Sequence, residues 1–128
     1  MGDESAVQAA VDALVAAFAE GRLEDYFGFF APDCTFVFHT AERRLPSVAA
    51  YRELWARWVA EDGFTVLSCR TSDSDIRLFG DVAIVTHQVA TRVRIAGEEQ
   101  DLRERETIVL HRVEGRWLGV HEHLSPAP

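Results

Sequence analysis

The 128-residue chain contains no lysine: all thirteen of its basic side chains are arginine, set against 21 aspartates and glutamates. The formal charge of −8 argues against nucleic acid or an anionic membrane surface as the main partner. Cysteine is scarce as well. Cys34 and Cys69 cannot build a disulfide framework, are not at metal-ligand spacing, and have no neighbouring feature that would activate a thiol. No apolar run is long enough to cross a bilayer or act as an export signal, and the opening Met1-Gly2-Asp3-Glu4 is acidic. Position 6 is alanine, so the myristoylation pattern fails, and the chain reads as cytoplasmic. Glycine-rich phosphate loops, Gly-x-Ser-x-Gly elbows and His-Glu-x-x-His helices are missing too, which argues against nucleotide-dependent and covalent catalysis. Internal repeats, linkers and low-complexity stretches are also lacking, and 14.4 kDa suits one domain over residues 1–128.

What is present is the balance of a folded globule, 48% hydrophobic and 27% charged. Val7, Val11, Leu14, Val15 and Phe18 recur at three- and four-residue spacing and predict a helix from Ser5 to Glu20, stopped by Gly21. A short helix over Leu23–Phe30 should end before Pro32, and Cys34–Thr40 reads as a strand. Pro46-Ser47 opens a third helix carrying Tyr51, Leu54, Trp55, Trp58 and Val59, closed by Gly63. The pattern then changes. Phe64–Phe79, Val82–Ala96, Asp101–Val113 and Arg116–Leu124 are rich in Val, Ile, Thr and aromatics and are separated by turn-length segments, as in an antiparallel meander. Helices first and a long sheet afterwards give an α+β fold, with the helices on one face of the sheet.

This order of elements resembles the nuclear-transport-factor-2-like superfamily. So does the ending Glu106-Thr107…His111-Arg112…Gly115-Arg116-Trp117…Val120-His121-Glu122-His123-Leu124-Ser125-Pro126-Ala127-Pro128. Within it the chain looks most like the SnoaL-like branch and, in the last strand, the association domain of calcium/calmodulin-dependent kinase II. The resemblance implies a cone-shaped curved sheet wrapped over three helices, a pocket between them, and a homodimer through the outer sheet face. It also implies pocket arginines at the positions that are Val89, Ile108 and Leu124 here. Their apolar replacement argues against a small carboxylate ligand and against a kinase-hub role.

Strand alternation then distributes the side chains. A four-residue loop Gly97–Gln100 would pair Val89 with Ile108 and Thr91 with Glu106. A three-residue loop Val113–Gly115 would pair Arg112 with Arg116 and Glu106 with Glu122. A Gly80-Asp81 turn would set Ser74 opposite His87 and Arg70 opposite Thr91. One face becomes an apolar wall, with Leu118 and Val120 among its members, holding Arg70, Glu106, Glu122 and His87. The other collects Arg92, Arg94, Arg103 and Arg105 as cross-strand neighbours.

Two carboxyls side by side in an apolar pocket cannot both ionise cheaply, so Glu106 or Glu122 should take a raised pKa suited to general acid–base work. The bland alternative is that Arg70 or solvent neutralises them. His87 is a proton-transfer partner or simply a hydrogen-bonded buried histidine. His39 belongs at the pocket mouth. Tyr51 and Trp55 line the apolar side of the pocket, or else Trp55, like Trp58, serves only as core. His121 and His123 share a face but lack a third ligand, so no metal site is read there; the resemblance assigns them to the outer face. Two functions follow. One is a cofactor-independent isomerase or cyclase acting on an apolar or aromatic molecule, similar to SnoaL-like cyclases and ketosteroid-isomerase relatives: Glu122 or Glu106 abstracts a proton α to a carbonyl, and His87 or Tyr51 stabilises the enolate. The other is a non-catalytic ligand-binding or oligomerisation module.

Overall fold

Helix α1 (Asp3–Glu20) turns Val7, Val11, Leu14 and Ala17 into the core, and Gly21 caps it in the left-handed conformation. The computed structural model describes residues 2–128. Helix α2 (Leu23–Gly28) is shorter than expected, because the chain is already extended at Phe30, the first residue of β1 (Phe30–Phe38). Pro32 falls where the β1 pairing is irregular, a position that needs no backbone donor. Helix α3 (Val48–Asp62) starts and stops as its sequence signals indicate: Ser47 Oγ accepts from the Ala50 amide at 3.1 Å, and Gly63 closes it with φ 60°.

Strands β2 (Thr65–Phe79), β3 (Val82–Ile95), β4 (Glu98–Val113) and β5 (Arg116–Pro126) form the meander. The sheet order is β1-β5-β4-β3-β2, with β1 parallel to β5 and every other pair antiparallel. The three helices cover one face of this curved, unclosed sheet, and the core between them holds Phe36, Tyr51, Trp55, Val85, Ile108 and Leu110.

Register differs from expectation at two of the three hairpin turns, while the Gly80-Asp81 hairpin keeps the expected pairing from its turn to Asp75–Thr86. The β3–β4 connection is the two-residue turn Ala96-Gly97, both at positive φ, in place of a four-residue loop. Pairing slides by four residues: His87 faces Glu106, Val89 faces Glu104 and Val85 faces Ile108. An even slip keeps each side chain on its expected face. It also puts Arg92 opposite Asp101 and Arg94 opposite Glu99, so those arginines meet acids and not one another.

The β4–β5 turn is likewise two residues, Glu114-Gly115, both at positive φ, and Arg112 faces Trp117 rather than Arg116. This odd shift turns Trp117 and Gly119 inward in place of Leu118 and Val120. A bulge between the Leu110–Gly119 and Val109–His121 pairs restores the phase, leaving Glu122 opposite Ile108 and Leu124 opposite Glu106. Gly119 is required there: a Cβ would stand 2.7 Å from the Phe29 and Phe30 rings.

A third irregularity lies between the Ser72–Gln88 and Asp75–Thr86 pairs, where Asp73 adopts φ 53°. It offsets the rest of β2 by one residue, so Ser74 does not pair with His87. Cys69 faces Thr91, and Arg70 faces Ala90 on the outer side, exposed to solvent.

Candidate functional site

The cone encloses a cavity of about 220 Å3 between α1, α3 and the inner face of the sheet. Its wall is built by Leu14 and Phe18 of α1, Tyr51, Trp55 and Trp58 of α3, and Val89, Val93 and Leu124 of the strands. Besides Asp62 at the end of α3, three carboxyls of the sheet interrupt this apolar surface: Glu104, Glu106 and Glu122. They stand on neighbouring rungs of β4 and β5, opposite Val89, Leu124 and Ile108 respectively.

The three are held differently. Glu106 lies 2.6 Å from Nε2 of His87, whose side chain is only 1% exposed. Glu104 lies 2.6 Å from Nε2 of His39, which sits just beyond the end of β1 and is partly open to solvent. Glu122 is 3% exposed and has no basic partner among the described residues; it hydrogen-bonds to Glu106.

Their titration follows. Burial pushes the Glu122 carboxyl well above the usual glutamate range, and the negative charge of Glu106 adds to the effect. Burial also acts upward on Glu106, but hydrogen bonds from Glu122 and His87, with the His87 charge, outweigh it and hold that carboxyl low. Glu104 is raised by burial against the pull of its bond to His39. The carboxyls of Glu106 and Glu122 are thus shifted in opposite directions, Glu122 holding a proton more tightly than Glu106, as expected when two carboxyls share an apolar site.

Two tyrosines complete the polar lining. Tyr26 and Tyr51 share a 2.7 Å hydroxyl–hydroxyl bond, and burial pushes both phenols well above their ordinary range, so they are neutral donors. Burial likewise pushes Cys34 up to about 12 and Cys69 up to about 11, so neither is a thiolate nucleophile at neutral pH.

The sequence profile of SnoaL-like domains matches residues 7–128. The chain belongs to the SnoaL-like family. No curated protein matches it. Among solved structures it is similar to an NTF2-like protein from Cytophaga hutchinsonii, at 13% identity and a TM-score of 0.84, with 99% of this chain and 100% of that one covered. The CaMKII hub of S. rosetta is similar at 23% identity and TM-score 0.80, covering 99% of this chain and 98% of that one. A candidate scytalone dehydratase from Novosphingobium aromaticivorans is similar at 17% identity and TM-score 0.82, with coverage of 98% and 85%. At such identities these likenesses establish the fold, a cone of the NTF2-like kind.

Within this SnoaL-like domain, Glu106, Glu122, Tyr51, Trp55, Val89 and Leu124 reach the cavity wall. His87 does not. It lies behind Glu106 and addresses the carboxylate, which gives it a positioning place and removes it as an enolate donor. Ile108 is on the inward face but fully buried beneath the cavity floor, and His39 reaches the site only through Glu104. Arg70 is outside altogether, because of the β2 bulge, and cannot neutralise the glutamates. His121 and His123 take outer positions, with His121 Nδ1 2.7 Å from Thr35 Oγ1.

Two residues escaped the sequence reading. Glu104 carries the same signal as Glu106, two residues away on the same strand face, and could have been found by alternation alone. Tyr26 could not, since nothing local says that the short α2 would bring its hydroxyl to Tyr51.

Proposed function

We propose that the cavity binds an apolar or aromatic small molecule bearing a carbonyl, and that the Glu106–Glu122 pair moves a proton at the adjacent carbon, as in isomerases and cyclases. The observation that carries this reading is the unequal setting of two neighbouring buried carboxyls: Glu106, bonded to Glu122 and lying 2.6 Å from His87, is held low, while Glu122, without a basic partner among the described residues, is pushed up. Glu106 takes the α-proton, the C–H electron pair moves into the carbon–carbonyl framework, and the enolate oxygen accepts a hydrogen bond from Glu122 or Tyr51. Where the ligand is a β,γ-unsaturated ketone, delivery of the proton from Glu106 to the γ-carbon of the dienolate completes an isomerisation. Attack of the enolate carbon on a second carbonyl within the ligand, with the proton on Glu106 passing to the alkoxide so formed, completes a cyclisation. Each step uses side chains alone.

The test follows hydrogen–deuterium exchange at the α-carbon of 1-phenylpropan-2-one in D2O by NMR. The wild type should accelerate exchange above the buffer rate. Glu106→Gln should lower it by about 10²–10⁴-fold, and Glu122→Gln by less. No acceleration, or acceleration that survives both substitutions, would overturn the catalytic reading. The likeness to the CaMKII hub supports a second reading, a non-catalytic binding or assembly module; ligand binding without exchange is its signature.

We also infer a homodimer through the outer sheet face. Half-buried Ile84, Val109 and Val120 lie at its centre, and Arg105 stands free of ion pairs among the described residues.

A further inference from the structure

We propose that the cavity selects a protonated amine carried on an apolar or aromatic body, with Glu104 as the residue that reads the ammonium group. The inference rests on the cavity being a small-molecule site, and it names the ligand's charge.

The ionisable side chains that line the cavity are of one sign. Asp62, at the end of α3, lies on the lining, with Glu104, Glu106 and Glu122 along the sheet, and among the described residues no arginine or histidine reaches the wall. The two interior histidines are each already committed at 2.6 Å to one carboxylate, leaving Glu122 without a cation. A carboxylate ligand would face these acids with no arginine or histidine on the described wall to offset the repulsion. A neutral carbonyl ligand can accept a hydrogen bond from Tyr51 or Glu122 but supplies no donor to Glu104. An ammonium group supplies the donors that the acids lack, and hydrogen bonds to charged groups are among the stronger ones.

The body of the ligand is specified by the same wall. Trp55, Trp58, Phe18 and Phe64 offer aromatic surface close to the carboxyls, which favours an apolar skeleton and gives a cation a second attraction. A formal charge of −8 on the whole chain adds a weak long-range pull on cations. Glu104 suits the recognition role because the proton transfer between Glu106, Glu122 and the α-carbon does not use it. It is 6% exposed, lines the cavity, and is backed by a histidine that is partly open to solvent. His39 can swing toward water when a ligand cation replaces it, whereas His87 is enclosed.

Three probes with the same ring separate charge from shape: 2-phenylethylamine, 2-phenylethanol and phenylacetate. Binding is read by isothermal titration calorimetry and by the fluorescence of the cavity tryptophans. The amine should bind at least about tenfold more tightly than the alcohol, and phenylacetate more weakly than either. Glu104→Gln should erase most of the amine's advantage while leaving the alcohol's affinity within about twofold. If the alcohol or phenylacetate binds as tightly as the amine, the charge inference fails and the cavity reading survives. If Glu104→Gln weakens amine and alcohol equally, Glu104 is structural and the assignment is wrong. If none of the three binds, both the inference and the small-molecule reading beneath it fall.

Discussion

The segment Arg103-Glu104-Arg105-Glu106 sends two arginines to the outer face of the sheet and two glutamates to the inner one, and the two faces treat charge in opposite ways. Outside, Arg92 meets Glu99 at 2.9 Å and Asp101 at 3.1 Å, and Arg94 meets Glu99 at 3.3 Å, all in open solvent. Inside, Glu106 meets His87 and Glu104 meets His39 at 2.6 Å within an apolar wall. By count the outer face has more ion pairs. Water screens those, and holding long side chains in place offsets much of their attraction. In the interior a charge without its partner has nowhere to go, so each inner contact fixes a protonation state. Contact number therefore says little about which face sets function; burial decides it.

The sharpest way to break this contrast is to remove the inner partner. His87→Leu leaves Glu106 buried beside Glu122 with no cation, and should destabilise the fold by about 3 kcal/mol near neutral pH, measured by urea unfolding. The sign with pH is set by Glu106. Its carboxyl is held below the ordinary value of 4.5 in the fold, so the stabilisation it provides is present above that value and fades as pH falls through the folded pKa. The difference between wild type and His87→Leu should accordingly be largest above pH 6 and shrink toward pH 4. A deficit that stays constant with pH would show that His87 acts only by filling space.

A smaller effect, of opposite sign, is expected at Glu122. Its carboxyl is raised above 4.5 in the folded state, so its contribution to stability is complete below that pH and is lost as pH rises through the folded pKa. Glu122→Gln keeps a neutral hydrogen-bonding group in place. It should be more stable than wild type by about 1–2 kcal/mol at pH 8, with little difference at pH 4. Thermal melts across that range measure it. A wild-type melting temperature that does not fall between pH 5 and pH 8 would mean that Glu122 is ionised at no cost, and the proton-sharing pair would be lost with it.

Helix spacing and strand alternation made the fold legible because both are local. Ser47, Gly21 and Gly63 marked helix ends correctly, and Gly80-Asp81 marked its turn. The faces of β3 and β4 were legible as well, since alternation along β4 alone separates Arg105 from Glu106, whereas Arg70 on β2 and Leu118 and Val120 on β5 lie on faces the sequence did not indicate. What stayed hidden was pairing across strands. Ala96 at positive φ gives no signal of a tight turn, and neither Asp73 nor Val120 is of a residue type that announces the bulge it stands in. Gly119 is the one residue that hinted at such a constraint, because only a glycine passes beneath Phe29 and Phe30. Thus the acids of the site could be named from sequence, while their partners could not: His87 meets Glu106 only through the two-residue turn, and Arg70 leaves the interior only through the bulge.

The outer face should show the smallest effect on folding and still report on assembly. Arg92 is exposed and its pairs with Glu99 and Asp101 are open to solvent, so Arg92→Ala should leave the urea midpoint of the dilute protein unchanged at low and at high salt. A midpoint that drops, and drops more at low salt, would mean that the outer pairs also hold the fold, and the contrast between the faces would collapse. Assembly is the separate readout. If two copies meet through this face, sedimentation at micromolar concentration should give twice the 14.4 kDa chain mass for the wild type. Arg92→Ala combined with Arg105→Ala should then shift the mass toward one chain without lowering the dilute midpoint. A single-chain mass for the wild type would remove the dimer and leave the arginines as solvated charge. The buried acids keep their place in either case, because they face the cavity on the opposite side of the sheet.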